Sequence, residues 1–211
     1  MPDLRKFLYL FILLLPLVGR AEFLTKVDYT HDSFSDDLDS WDALAASLGI
    51  TTPYGTIIPR LNFARRFATQ GTQVELDAYP RLLEGRYAYL NFGYSESSIF
   101  PRYRLGAEVF QSLPLSFEVS AGFRRLWFES SSPTIWTASV ATYVGPYYLA
   151  IRPFFVPKEA GDSWSGFVEI RRYHGDLNYF TIKAGEGEYS DQEVSTLEIF
   201  RLHSQWAALG V

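Results

Sequence analysis

The chain lacks cysteine, has a single methionine, and shows only one continuously apolar segment, at its start. Without cysteine there is no disulfide framework, thiolate metal site or cysteine nucleophile. Without further apolar runs of about 20 residues there is no helical protein of several membrane spans. Basic excess is missing too. The 211 residues carry 19 Lys+Arg against 24 Asp+Glu, a net charge of −5, the opposite of a nucleic-acid binder's footprint. No stretch shows a convincing amphipathic helix. Aromatic residues, by contrast, make up 17% of the chain, too many for a disordered polymer. A soluble β-rich domain or an outer-membrane β-barrel remains.

The apolar segment reads as an address. Arg5 and Lys6 precede a 12-residue apolar run over 7–18, and Gly19, Arg20 and Ala21 offer a small-residue cleavage site before Glu22. This pattern predicts a Sec-type signal peptide over 1–21, an uncleaved anchor being the alternative. Cleavage leaves 190 residues, 22–211, with 16 basic and 23 acidic side chains and a net charge of −7. It directs the chain to the periplasm or outer membrane of a Gram-negative cell.

Beyond the address the period is two. Val74, Leu76 and Ala78 alternate with Glu75, Asp77 and Tyr79. Phe117, Val119, Ala121, Phe123 and Arg125 alternate with Glu118, Ser120, Gly122 and Arg124. Such alternation marks strands with one apolar and one polar face. Segment 41–50, rich in Ala and Leu, is the nearest to a helix, but also fits period two. The expected strands are 23–32, 41–50, 56–67, 72–81, 86–95, 103–112, 116–128, 135–144, 147–156, 164–173, 179–186 and 196–206. At about ten residues they suit a transmembrane strand better than a sandwich strand of about 5–6. Short turns (51–55, 82–85, 113–115, 145–146, 174–178) alternate with longer links (33–40, 68–71, 96–102, 129–134, 157–163, 187–195). That is the layout of an antiparallel up-and-down transmembrane β-barrel of about twelve strands, with short periplasmic turns and long outer loops. The long links hold Asp36, Asp37, Asp39, Glu96, Glu129, Glu159, Asp162, Glu188, Asp191 and Glu193, with Glu186 flanking them, against Arg102 and Lys158. An acidic outer rim follows.

Tyr29, Trp41, Tyr103, Trp127, Trp136, Tyr147, Trp164 and Tyr179 stand near strand ends, as aromatic girdles do. By parity the lumen receives Arg60, Arg66, Glu75, Asp77, Arg104, Glu108, Glu118, Arg124, Arg152, Glu169, Arg171 and Lys183. Charges in a membrane domain face protein or water. The mixed signs predict either an ion-paired plug or a narrow, porin-like polar channel.

Catalytic signals are weak. There is no phosphate loop, paired zinc histidines or Gly-x-Ser-x-Gly elbow. The histidines are His31, His174 and His203. His31 with Asp32 and Ser33 could be forced into a hydrolytic triad, but neighbours on a strand point to opposite faces. The acidic loop from Gly185 to Asp191 lacks calcium-loop spacing. No catalytic residue, cofactor or metal is expected.

One resemblance covers roughly residues 27–193. Thr52-Pro53-Tyr54-Gly55-Thr56 leads to Asn62-Phe63-Ala64-Arg65-Arg66-Phe67. Asp77-Ala78-Tyr79-Pro80-Arg81 follows, then Tyr87-Ala88-Tyr89-Leu90-Asn91-Phe92-Gly93-Tyr94-Ser95 and Ser98-Ile99-Phe100-Pro101. Gly106-Ala107-Glu108, Gln111-Ser112-Leu113-Pro114, Ala121-Gly122-Phe123-Arg124 and the run from Tyr143-Val144-Gly145 to Arg152-Pro153 complete it. In this order they resemble the YaiO-type outer-membrane β-barrel family. The resemblance implies an integral outer-membrane barrel and supplies no catalytic residues. The ending, Trp206-Ala207-Ala208-Leu209-Gly210-Val211, departs from the terminal aromatic of such barrels. A truncated or frameshifted product, incomplete at the C-terminus, is the expectation.

The expected function is non-enzymatic: a structural role, or passage or export of a polar solute such as a glycan, suited by a charged, tyrosine-interleaved lumen. The alternatives are an outer-membrane enzyme acting on lipid A or phospholipid, and a soluble periplasmic sandwich. Expected partners are outer-membrane lipids and lipopolysaccharide, the barrel-assembly machinery, and a polysaccharide or small polar solute, with no nucleic acid.

Overall fold

A computed structural model describes residues 21–32, 40–66, 69–157, 161–174, 178–188 and 203–210. Within them the regular elements are all strands: β1 (Glu22–Asp32), β2 (Trp41–Thr52), β3 (Gly55–Arg66), β4 (Thr69–Leu83), β5 (Arg86–Tyr94), β6 (Tyr103–Ser112), β7 (Phe117–Trp127), β8 (Thr134–Val144), β9 (Tyr147–Val156), β10 (Ser163–Tyr173), β11 (Tyr179–Glu188) and β12 (His203–Gly210). They form one antiparallel sheet in sequence order, β1 to β12, the topology of an up-and-down barrel wall. Among the described residues no pairing joins β12 back to β1, so the wall is not closed.

The strands follow the alternation of the sequence, with shifts at their ends. One is at 68–71, read as a long link: β4 begins at Thr69, whose partner is Arg66. Thr69, Gln70 and Gly71 look like loop residues by composition. A strand that runs on past an apolar band accommodates them, because backbone pairing does not depend on side-chain polarity. The expected turn at 82–85 tightens likewise, as β4 extends to Leu83, and Gly85 supplies a φ of 66° that other residues adopt at a cost. Residues 187 and 188, expected to open the long acidic link, belong to β11, while Tyr189, Ser190 and Asp191 lie outside the described residues. So do 196–202 of the expected last strand, links 33–39, 158–160 and 189–195, and the address segment 1–20.

The register separates two faces. On the outer one, Ile57, Pro59, Leu61 and Phe63 of β3 continue into Val74 and Leu76 of β4, and in β9 Leu149 and Ile151 pair with Ile170 and Val168 of β10. Many of these stay exposed: Leu61, Val74, Val140, Ile151 and Ile170. An exposed apolar band of this extent marks a surface made for lipid or protein contact rather than for water. Tyr29, Tyr103, Trp136, Tyr147 and Trp164 border it on the outer face. Trp41 and Tyr179, expected in the girdle, turn inward: the Arg66 guanidinium lies 4.8 Å from the Trp41 ring and Arg171 lies 4.3 Å from Tyr179. Interior cations hold both rings where lipid would otherwise take them.

Candidate functional site

The inner face is polar and packed. Arg104 and Glu75 are each 1% exposed at the side chain, and Arg104 Nη1 lies 2.8 Å from Glu75 Oε1. Arg60 approaches the same carboxylate at 3.7 Å and Asp77 at 3.1 Å. Asn62 donates to Glu75 at 2.7 Å, and Asn91 donates to Asp77 at 2.6 Å and to Glu75 at 3.2 Å. The Tyr89 hydroxyl donates to Asp77 at 2.9 Å. This cluster belongs to β3–β6. Gly93 makes room for it: a Cβ there would stand 3.1 Å from Glu75 Cγ and 3.3 Å from Arg104 Cβ.

A second cluster joins strands that are not neighbours. Arg152 of β9 donates from Nη1 to both Glu108 oxygens of β6, at 2.7 and 2.9 Å. Ser120 donates to the same carboxylate and shares a hydrogen bond with Ser139. The floor between is made of small residues, Ser120, Gly122 and Ser139. At Gly122 a Cβ would meet the Ala107 carbonyl oxygen at 2.4 Å and Glu108 Cβ at 2.5 Å. Beside this pair lies a cavity of about 10 Å³ lined by Tyr89, Glu108, Arg124, Thr137 and Phe154 among others, room for one water. Arg124 is buried there, with its Nε unpartnered among the described residues.

The third cluster lies towards the short-turn end. Arg171 donates to Glu169 at 2.7 Å, and Lys183 stands 3.8 Å from that carboxylate. Arg171 also stacks near Tyr148, Tyr173 and Tyr179 at 5.4, 6.0 and 4.3 Å. Tyr143 and Tyr148 contact at 5.1 Å, and Tyr87 donates to Glu118 at 3.2 Å. At the opposite end, the link between β5 and β6 folds back over the interior. Phe100 and Pro101 are fully buried there, and the Ser95 hydroxyl donates to the Thr72 carbonyl at 2.6 Å.

The parity rule therefore sends Arg60, Glu75, Asp77, Arg104, Glu108, Glu118, Arg124, Arg152, Glu169, Arg171 and Lys183 to one face, in three groups. Their neutral partners Asn62, Asn91, Ser120 and Ser139 share this face by the same parity, though the expected charged network names none of them. Sequence reasoning also passed over a polar group on the outer face. His31 Nδ1 lies 2.8 Å from Asp42 Oδ1 of the neighbouring strand, not against Asp32, and Ser33 lies outside the described residues. His174 is exposed beyond β10, far along the chain from this pair, and the side chain of His203 lies outside the described residues. Among the described residues no group of three or more His, Cys, Asp or Glu could hold a metal ion.

No curated protein and no solved structure matches the chain significantly. The model of one family does, the YaiO membrane beta barrel domain, over residues 24–192. That span runs from β1 to just beyond β11 and includes all three interior clusters. The meander of transmembrane-length strands, the apolar outer band and this match agree, and the chain belongs to the YaiO membrane β-barrel family.

Proposed function

We propose that this is a non-enzymatic integral protein of the Gram-negative outer membrane with a structural role, a barrel sealed along its interior. In this reading the segment 1–21 exports the chain, the barrel-assembly machinery inserts it, and lipopolysaccharide surrounds its outer rim. The observation that carries the sealed state is the Arg104–Glu75 pair, both side chains 1% exposed. A water-filled channel would hydrate them. The one-water cavity beside Arg124 and the inward-folded link at Phe100 point the same way. Planar-bilayer recording of the purified protein tests it. A sealed barrel gives no sustained conductance steps, and stable porin-sized steps in the native protein would overturn the reading.

A second reading is passage or export of a polar solute such as a glycan. It is favoured by the short-turn end, where Arg171 and the rings of Tyr148, Tyr173 and Tyr179 form a polar aromatic mouth. Rings beside charged hydrogen-bonding groups are the surfaces that hydroxyl-rich ligands use. Glycan secretion by cells with and without the gene decides it: an export defect in the deletion strain supports passage, and unchanged export leaves the structural role.

A further inference from the structure

Successive outer-face residues of β1–β4 form rows across the sheet. Val27, Ala46, Leu61 and Val74 make one, and Tyr29, Leu44, Phe63 and Thr72 the next. The row after that, at the long-link end, is His31, Asp42, Arg65 and Gln70. The change from apolar to charged takes place within one step along the strands. Asp42 sits at the centre and accepts from the Tyr29 hydroxyl at 2.8 Å, from His31 Nδ1 at 2.8 Å and from Arg65 Nη2 at 2.5 Å. Its carboxylate is shielded by these donors: the Asp42 side chain is 16% exposed, against 61% for Arg65 and 49% for His31. What reaches the surface is therefore the guanidinium and the imidazole, not the acid that orients them.

We infer that this row binds the phosphate of an anionic lipid whose acyl chains lie on the apolar rows beneath it. The order of the surface, donors at the rim and then Phe63, Leu44, Leu61 and Val27, is the order of an amphiphile from head to tail. A guanidinium tethered through Nη2 to a carboxylate keeps its remaining donors free for phosphate. Asp42 is a positioning residue that touches no ligand. The outer rim offers a comparison in Arg125 of β7, which faces the same way but stacks on Trp127 at 5.4 Å and has no such carboxylate in contact among the described residues. The site is independent of whether the interior is open, and it gives the expected lipid contact an address.

The test uses the full-length protein in phosphatidylcholine nanodiscs, titrated with lipid A or phosphatidylglycerol and read by native mass spectrometry for retained lipid. Heat-modifiable gel mobility establishes that each variant is folded. The native protein is expected to retain one anionic lipid against the phosphatidylcholine background. Arg65→Gln is expected to lower retention about tenfold, the loss of one charge-assisted contact of roughly 1.4 kcal/mol. Asp42→Asn should lower it by a smaller factor, with Arg65 still present but no longer fixed. Arg125→Gln should leave it unchanged. Equal retention in Arg65→Gln, or an equal loss in Arg125→Gln, would overturn the site. Full displacement by inorganic phosphate at concentrations matching the lipid would overturn the lipid as occupant and leave a free-anion site.

Discussion

Arg152 and Glu108 meet at 2.7 and 2.9 Å although β7 and β8 lie between their strands. Three strand spacings on a flat sheet amount to about 14 Å. The contact therefore depends on the wall bending inward and on Ser120, Gly122 and Ser139 leaving the path clear. It is a direct mark of barrel curvature, written in side chains.

Removing one partner of this pair isolates a buried charge. Arg152→Met is expected to destabilise the barrel by about 3–5 kcal/mol, measured by reversible urea unfolding in detergent or vesicles. The double variant Arg152→Met with Glu108→Gln should recover much of that loss, since no ion is then stranded. A double variant as unstable as the sum of the singles would show that the two groups act independently.

Gly122 is required by closeness of approach. A Val there would drive its side chain into the Ala107 carbonyl and Glu108. Gly122→Val is expected to cost about 1–3 kcal/mol or more by overpacking, seen as a lower unfolding midpoint and slower heat-modifiable folding. Gly145→Ala serves as the contrast: nothing stands within 4 Å of a Cβ there, so its cost comes from the positive φ of 58° alone.

The outer band sets a depth scale. Ile151, midway along β9 and exposed on the outer face, should tolerate arginine poorly. Ile151→Arg is expected to lose about 2–4 kcal/mol, against about 0–1 for a charge near the interface. Phe123→Arg, one step along β7 from the native Arg125, should fall between them. Unfolding free energies in phosphatidylcholine vesicles check the ranking, and equal costs at the two depths would contradict a lipid-facing band.

The non-enzymatic reading makes a prediction about the histidines. His31→Gln, His174→Gln and His203→Gln, one at a time, should leave the mass spectrum of extracted lipid A and phospholipids unchanged, as should deletion of the gene. A changed acyl pattern that any one substitution abolishes would favour the lipid-modifying alternative. His31 is the residue to watch, because Asp42 fixes its ring through Nδ1.

Period-two alternation determined the strands, their number and the sorting of Glu75, Arg104 and Arg152 to one face. A half-buried strand in lipid has no other way to satisfy its backbone and its side chains together. Composition could not say where strands end: Thr69 and Gln70 look like loop, and Gly187 and Glu188 look like a loop as well. Ladder bonds extend past the apolar band without regard to side chain. Position near a strand end does not by itself make a girdle ring: parity with Lys183 puts Tyr179 on the inner face, where Arg171 holds it, and Arg66 holds Trp41 on the same face. Above all, alternation is blind to contacts between strands. Which charges pair, why Gly122 must be small, and how His31, Asp42 and Arg65 come to share one row depend on register and curvature. Those are fixed by the whole wall, not by any single strand.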